Sequence, residues 1–514
     1  MTVSTGELLA PMMTLQQALQ WLPDALLVGD GTTLLQRVHT DTRSIEPGDL
    51  FVALRGERFD ANEFLAEAKA KGAAAALCHS QAQLEKAGLA GLVVADTKLA
   101  LGRLASGWRS QFKLPLIAVT GSNGKTTVTQ MVAAILRAYR PDAMLATQGN
   151  FNNDIGLPLT LLRLRATHKA GVVELGMNHP GEIALLAGMA KPTVALVNTA
   201  QREHLEFMAT LEAVATENGA VIESLAGNGV AVFPQDDAFA PVWHGLAGQR
   251  PQLTFAMAPD RAADADSGAA AAAQDAPLGM AHTAAEEGAQ TDAETGEEVR
   301  ADVVGMAAHW NAGAWQVSAS TPVGPLAYTL HVAGQHNVKN SLAAIACTLA
   351  AGVPLEAIAR GLGAFEPVKG RSRALSGVLA GRVYTLVDDT YNANPDSVRA
   401  AIDVLAALPG PRLLVLGDMG EVGTQGPQFH AEAGDYAKAR GIENLFTLGD
   451  LSATASSQFG AGRHFNDIDA LNKAVVGRMA RCSSVLVKGS RFMKMERVVE
   501  AFTAYAQVHQ EAQC

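Results

Sequence analysis

The stretch that decides the fold reads Leu114-Pro115-Leu116-Ile117-Ala118-Val119-Thr120-Gly121-Ser122-Asn123-Gly124-Lys125-Thr126-Thr127. An apolar run of strand character meets a glycine turn, and Lys-Thr-Thr follows. Beyond it Val128, Met131, Val132, Ile135 and Leu136 recur at helical spacing. Strand, glycine turn, Lys-Thr and helix is the layout of a phosphate-binding loop. The glycines let backbone N–H groups converge on an anion, and the helix start adds partial positive charge. In that layout Lys125 reaches the terminal phosphates of ATP and Thr126 holds Mg²⁺. Val119 stands where the full G-x-x-x-x-G-K-[ST] pattern has its first glycine, so what remains is T-G-x-x-G-K-T-T. The candidate nucleotide contacts are Thr120, Gly121, Ser122, Asn123, Gly124, Lys125, Thr126 and Thr127. An ordinary βα turn with a surface lysine is the plainer alternative; the strand before and the helix after favour the nucleotide.

Downstream, residues 147–158 are polar and rich in Gly and Asn. The amides of Asn152 and Asn153 suit phosphate or carboxylate oxygens, and a plain loop is the alternative. The short apolar run Gly171-Val172-Val173 ends in Glu174. In an open parallel sheet the carboxyl end of a strand faces the ligand crevice. A carboxylate there, opposite a phosphate loop, is where Mg²⁺ would be held, although a surface glutamate has the same local sequence. Residues 193–199 repeat the pattern, with Asn198 and His204 just beyond. His204 reads as a second metal ligand or as a structural histidine. Composition then changes: residues 259–302 are rich in Ala, Gly, Asp and Glu, which reads as a disordered acidic surface insertion.

The whole chain has 514 residues, enough for two to four domains. A formal charge of −11 argues against non-specific nucleic-acid binding but not against a phosphorylated small substrate. Cys78, Cys347, Cys482 and Cys514 lie far apart with no C-x-x-C, which fits reduced thiols in a cytosolic protein. No signal peptide is visible, and the Ala-rich run 341–353 is too short to span a bilayer. A cytoplasmic protein with no membrane insertion is therefore expected.

On the N-terminal side, residues 1–112 read as a small α/β unit. Thr42 and Arg43 precede a turn and a strand within 47–54. They fit a ligand contact, or a turn cap with a solvated arginine. Residues 64–71 read as a helix and 73–77 as a buried strand. On the C-terminal side, residues 334–340 (G-Q-H-N-V-K-N) lead into the Ala-rich helix. Residues 365–373 are rich in Pro, Gly and basic groups and read as a hinge. Strands are expected at 383–389, 412–418, 444–450 and 484–491, each an apolar run with a polar end, and a helix at 396–408.

Taken together these blocks resemble the Mur ligases of peptidoglycan synthesis, over nearly the whole chain apart from the acidic insertion. The resemblance rests on 40–43 and 47–54, T-G-S-N-G-K-T-T at 120–127, G-N-F-N-N-D-I-G-L-P at 149–158 and E-L-G-M at 174–177. It continues with Asn198, H-L-E at 204–206, G-Q-H-N-V-K-N at 334–340, D-D-T-Y-N-A-N-P-D-S at 388–397, G-D-M-G-E-V-G at 417–423 and V-K-G-S-R at 487–491. The D-D-T-Y-N-A-N-P block points, within the family, to the addition of D-alanyl-D-alanine to UDP-N-acetylmuramoyl-tripeptide (UDP-MurNAc-tripeptide). The D-N-P-R motif of the diamino-acid-adding paralogue does not occur. Folylpolyglutamate synthases share the phosphate loop but lack the 40–54 and 388–397 blocks.

The resemblance implies an α/β enzyme of three domains. A small N-terminal α/β domain (1–112) would hold the UDP-sugar peptide. A central parallel-sheet ATPase domain (113–366) would hold ATP, and a C-terminal Rossmann-like domain (367–514) the dipeptide D-Ala-D-Ala. It also implies ATP-driven amide formation through an acyl phosphate in a monomer whose hinged domains close over the site. By carry-over, Lys125, Glu174, His204 and Arg371 are the catalytic candidates. Thr126 and Glu174 would hold one Mg²⁺ and His204 a second. Asn337 and Asn340 would lie near the nucleotide, Arg371 near its phosphates and Asp389 near its ribose. Thr42, Arg43, Asn152 and Asn153 would contact substrate, with Asn392, Asn394, Lys488 and Arg491 on the acceptor side. One departure stands out. Relatives carry a lysine, modified to a carbamate, where Asn218 stands. Either Glu217 or another carboxylate is expected to substitute, or the second Mg²⁺ binds more weakly.

Overall fold

The computed structural model describes residues 11–56, 59–203, 205–259, 301–311, 313–379, 382–479 and 481–511. His204 and nearly all of the 259–302 insertion lie outside the described residues.

A nine-stranded sheet forms the middle of the molecule. Its spatial order is Gly324–Leu330, Ala314–Thr321, Val303–Asn311, Gln252–Met257, Val230–Pro234, Val194–Val197, Leu116–Thr120, Ala170–Glu174 and Met144–Ala146. From Met144–Ala146 to Val303–Asn311 neighbouring strands run parallel; the last two close the edge as an antiparallel meander. Leu116–Thr120, Ala170–Glu174 and Val194–Val197 are buried along their whole length, as strands covered on both faces must be. One face is covered by the helices Lys125–Tyr139, Gln335–Ala350 and Leu355–Gly363, through Met131, Ile135, Ile345 and Ile358. The other is covered by Thr97–Arg109, Glu182–Ala190 and Leu211–Glu223, through Leu101, Leu186 and Ile222.

The N-terminal five-stranded sheet has the order Leu26–Val28, Ala90–Val93, Ala75–Cys78, Asp49–Val52, Arg37–His39, all parallel but the first pair. Its Leu50, Leu77 and Leu92 join the same core as Leu101 and Leu104, so this sheet is packed onto the central one. The expected helix at 64–71 is Leu65–Ala70, with Leu65 and Ala68 buried.

The C-terminal sheet has six strands, in the order Arg373–Leu379, Arg382–Asp389, Ser484–Lys488, Arg412–Gly417, Asn444–Leu448, Arg463–Phe465. Only the first pair is antiparallel. The four expected strands are present, and Val398, Ile402 and Leu405 are the buried face of helix Pro395–Ala406. Two features differ from expectation. The Ala-rich helix begins at Gln335, and the basic end of the hinge segment is already strand from Arg373.

Candidate active site

Leu116–Thr120 lies between Ala170–Glu174 and Val194–Val197, with Val119 opposite Glu174 and Thr120 opposite Val197. Three strand ends therefore meet where the glycine loop begins. Gly121 has a φ of +123°, and a Cβ on it would stand 2.8 Å from Thr199 N and 2.9 Å from Asn198 N. Only glycine fits that turn.

Where the loop's N–H groups go decides where an anion can sit. Gly121 N–H donates to Asn218 Oδ1 (2.8 Å), Ser122 N–H to Thr199 O (2.8 Å) and Asn123 N–H to Thr199 Oγ1 (3.0 Å). Among the described residues no acceptor takes the N–H groups of Gly124, Lys125, Thr126 or Thr127, at the start of helix Lys125–Tyr139. These are the unsatisfied donors of a helix N-terminus, and they face a cavity of about 1330 Å³. Ser122 to Thr127 line that cavity; Thr120 and Gly121, expected to touch the nucleotide, lie behind it. Lys125 Nζ donates to Gly121 O (2.6 Å) and Ser122 O (3.1 Å) and pairs with Glu203 Oε1 at 3.0 Å.

Glu174 is 2% exposed and lines the cavity. Its N–H donates to Thr147 Oγ1 (2.9 Å), and its Oε1 accepts from Asn152 Nδ2 (2.7 Å). Its Oε2 is buried with no partner among the described residues. An orphaned carboxylate oxygen in the cavity that Thr126 and the phosphate loop also line is chemically suited to a hard cation. Asn152 thus orients a carboxylate, and Asn153 Oδ1 accepts from Gly156 N (2.8 Å) at the start of helix Gly156–Leu161, although both residues also line the cavity. Among the described residues no three His, Cys, Asp or Glu side chains gather as a metal cluster. Glu217 does not substitute for the missing lysine. Its carboxylate accepts from Gly181 N (2.8 Å) and Ile183 N (2.9 Å), at the start of helix Glu182–Ala190.

Behind the loop runs an amide ladder. Asn198 Nδ2 donates to Asn340 Oδ1 (2.9 Å), Asn340 Nδ2 to Asn337 Oδ1 (2.9 Å) and Asn337 Nδ2 to Ala333 O (2.7 Å). The two asparagines therefore sit within the first turns of a helix, where the sequence suggested only an approach to one.

The opposite wall comes from the C-terminal sheet. Gly370 N–H donates to Asp388 Oδ2 (2.9 Å) and Ser372 N–H to Asp389 Oδ1 (3.0 Å), which ties the 365–373 segment to a strand end and brings Arg371 into the cavity. The Arg371 guanidinium lies 4.0 Å from the centre of the Tyr391 ring, and that of Arg491 lies 5.9 Å from it. Lys488 Nζ pairs with Asp389 Oδ2 at 2.6 Å and donates to Asn392 O (2.8 Å). Burial alone would raise the Asp389 pKa, but the Lys488 ammonium prevails and holds it below the usual carboxylate value. Two residues assigned to different ligands, Asp389 to ribose and Lys488 to the acceptor, thus form one ion pair. Asn392 and Arg491 line the cavity, and Asn394 Nδ2 donates to Asn123 Oδ1 (3.0 Å) across it.

Thr42 and Arg43 are not brought to this cavity. They lie in the 3₁₀ turn Thr42–Ser44, whose Arg43 N–H donates to Asp41 Oδ1 (2.9 Å). The Arg43 side chain is 86% exposed, and its guanidinium holds the Asp41 carboxyl down to about 2. Sequence reasoning missed Glu203, Tyr391 and Arg202. Tyr391 lay inside a quoted motif, whereas Glu203 and Arg202 carry no signal beyond adjacency to a strand end.

Comparison with known proteins places the chain among relatives that share its fold. The families described as "Mur ligase family, catalytic domain", "Mur ligase middle domain" and "Mur ligase, glutamate ligase domain" match residues 35–109, 119–278 and 370–491. The UDP-N-acetylmuramoyl-tripeptide--D-alanyl-D-alanine ligase of Escherichia coli (strain K12) is 37% identical over 95% of this chain and 98% of its own. The protein of the same name from Bacillus subtilis (strain 168) is 31% identical over 91% and 93%. A crystal structure of MurF from Acinetobacter baumannii superposes with a TM-score of 0.81 at 32% identity, covering 97% of this chain and all of that one. A MurF ligase structure from Thermotoga maritima in complex with ADP, at 23% identity and a TM-score of 0.73, shares the fold over 92% of this chain and 98% of that one.

Proposed function

The chain belongs to the Mur ligase family, and on that premise we propose that it uses ATP to join D-alanyl-D-alanine to UDP-MurNAc-tripeptide. The observation that carries the reading is one cavity with two unlike walls. One wall offers the free N–H groups of Gly124 to Thr127, with Lys125 and the orphaned Glu174 Oε2. The other offers the D-D-T-Y-N-A-N-P strand end with Arg371, Lys488 and Arg491. A nucleotide switch needs only the first wall; a ligase needs both.

In this reading the tripeptide carboxylate attacks the γ-phosphorus of ATP and ADP departs. The dipeptide amine attacks the resulting acyl phosphate carbon, losing a proton as phosphate leaves. The free N–H groups and Lys125 receive phosphate oxygens, and Arg371 neutralises charge from the opposite wall. Thr126 and Glu174 are the residues that would hold Mg²⁺; His204, assigned to a second ion, lies outside the described residues. When bound, Mg²⁺ neutralises phosphate charge and polarises the transferring group. Lys488, held by Asp389, shapes the acceptor wall, and Arg491 and Asn392 are candidates for the dipeptide carboxylate.

The division into 1–112, 113–366 and 367–514 is proposed on the same basis. Use of ATP and a nucleotide-linked sugar fits a cytoplasmic enzyme. No helix among the described residues is long and apolar enough to cross a membrane. The test measures phosphate release from ATP with UDP-MurNAc-tripeptide and D-Ala-D-Ala, a diamino acid or glutamate in turn. Release only with D-Ala-D-Ala, with the matching amide product, is expected. Release independent of any acceptor would instead support a nucleotide switch.

A further inference from the structure

We infer that Asn218 is a positioning residue for the nucleotide. Its carboxamide fixes the first half of the phosphate loop, so that only the second half receives phosphate. This rests on the reading of the cavity as an ATP site.

Asn218 lies in helix Leu211–Glu223 and is 1% exposed. Its Oδ1 accepts two hydrogen bonds, from Thr120 Oγ1 at 2.6 Å and from Gly121 N at 2.8 Å. Its Nδ2 donates to Val214 O at 2.9 Å. The oxygen thus faces two donors and the nitrogen faces an acceptor, which fixes the amide's orientation. Thr120 and Gly121 are the two residues at which strand becomes loop, and Gly121 there takes its φ of +123°.

The helix that carries Asn218 is itself held from behind. Trp243 Nε1 donates to Ala215 O at 3.0 Å, and Trp243 is fully buried. Gly219 lets the neighbouring helix Ala240–Ala247 come close: a Cβ there would stand 2.3 Å from Leu246 Cδ1. Asn218 is therefore a rigid post. Thr199 takes the N–H groups of Ser122 and Asn123 on the other side of the loop. Held at both sides, the loop presents to the cavity only the N–H groups of Gly124 to Thr127. A receptor whose donors are already aimed loses less entropy on binding.

The test compares Asn218→Ala and Asn218→Asp with the unaltered enzyme. Aspartate keeps both acceptor contacts, and its second oxygen, facing Val214 O in a buried site, keeps that contact only when protonated. The readouts are the dissociation constant of ATP, the KM of each substrate, and hydrogen exchange of the Gly121 amide. Asn218→Ala is expected to raise Kd and KM for ATP by about tenfold or more, the scale of one ordinary hydrogen bond. The KM values of the sugar-peptide and the dipeptide stay within about twofold, since binding energy outside the loop is untouched. Gly121 loses exchange protection, and Asn218→Asp recovers most of the ATP affinity.

Three results overturn the inference. They are wild-type ATP affinity in Asn218→Ala, a parallel rise of all three KM values, or an aspartate variant as poor as alanine. If Asn218→Ala does not fold, Thr120→Val removes the hydroxyl donor at constant shape and must raise KM for ATP selectively. Failure of the unaltered enzyme to bind ATP would remove the reading of the cavity and this inference together. Normal ATP binding with an indifferent Asn218 removes this inference alone.

Discussion

Lys125 holds its ammonium against two loop carbonyls and Glu203, at the point where terminal phosphates would arrive. The anion must take that ammonium over, so the lysine contributes most where charge builds up in the transition state. Lys125→Ala should lower phosphate release by about 10²–10³-fold or more. Circular dichroism should show the fold retained, because Nζ projects into the cavity and not into a core. Glu174 gives a second, different expectation. Glu174→Gln keeps an oxygen for the Asn152 amide but replaces the orphaned Oε2 by a neutral nitrogen, which is no ligand for a hard cation. The Mg²⁺ concentration needed for half-maximal activity should rise by about tenfold or more, with the KM for dipeptide little changed. A magnesium titration of the variant checks this, and an unchanged titration curve would remove Glu174 from the metal site.

At the scale of elements, helix Gly426–Ala439 shows how a loop is held by a buried ring. His430 is fully buried; its Nδ1–H donates to Gly426 O (2.7 Å), and its Nε2 accepts from Met419 N (3.0 Å). The ring is thereby fixed neutral, and burial pushes its pKa below the usual histidine value despite Asp418 nearby. The unfolded chain binds a proton near pH 6.5 and the folded one does not, so stability is complete above about pH 6.5 and declines as pH falls below it. Melting temperature should therefore drop between about pH 6.5 and 5, and His430→Gln should flatten that slope. Elements of this kind were legible to different degrees. Strands were readable wherever apolar runs ended in polar residues, as at Val194–Val197 and Arg412–Gly417. The start of helix Gln335–Ala350 was not, because His and Asn are indifferent helix formers and the buried ladder through Asn337 and Asn340 joins the first turns to residues outside the local pattern. In the site, the loop and Glu174 followed from local pattern. The Lys488–Asp389 pair, the Glu203 contact and the use of Asn218 did not, since each joins residues about eighty to a hundred positions apart and leaves no local period to read.

For the molecule as a whole, the two walls of the cavity belong to different sheets, and polar contacts hold them together. Arg202, just past strand Val194–Val197, donates from Nη2 to Asp396 Oδ1 (2.8 Å) and from its backbone N–H to Asp396 Oδ2 (2.8 Å). Its Nη1 reaches Glu432 at 3.0 Å, and its guanidinium lies 5.3 Å from the Phe429 ring centre. Next to this, the side-chain amides of Asn123 and Asn394 exchange hydrogen bonds, at 3.0 and 3.4 Å. The phosphate loop thus touches the cap of helix Pro395–Ala406 directly, and the loop that ends in Glu203 touches its first turn. The Arg202 and Asp396 side chains are 24% and 22% exposed, so their pairing escapes most but not all solvent screening. Charge-assisted hydrogen bonds in such a setting contribute about 1.5–3 kcal/mol before that discount. Arg202→Met keeps much of the apolar stem over Phe429 and removes the charge. It should leave the affinity for ATP within about threefold, because the phosphate-facing amides are untouched, while kcat falls roughly tenfold or more because the two walls no longer meet in register. Small-angle scattering should show a larger radius of gyration for the variant. In a double-mutant cycle, Arg202→Met and Asp396→Asn should couple by about 1 kcal/mol. Additive effects together with an unchanged radius would mean that the walls are held by the Asn123–Asn394 amide pair and not by this arginine.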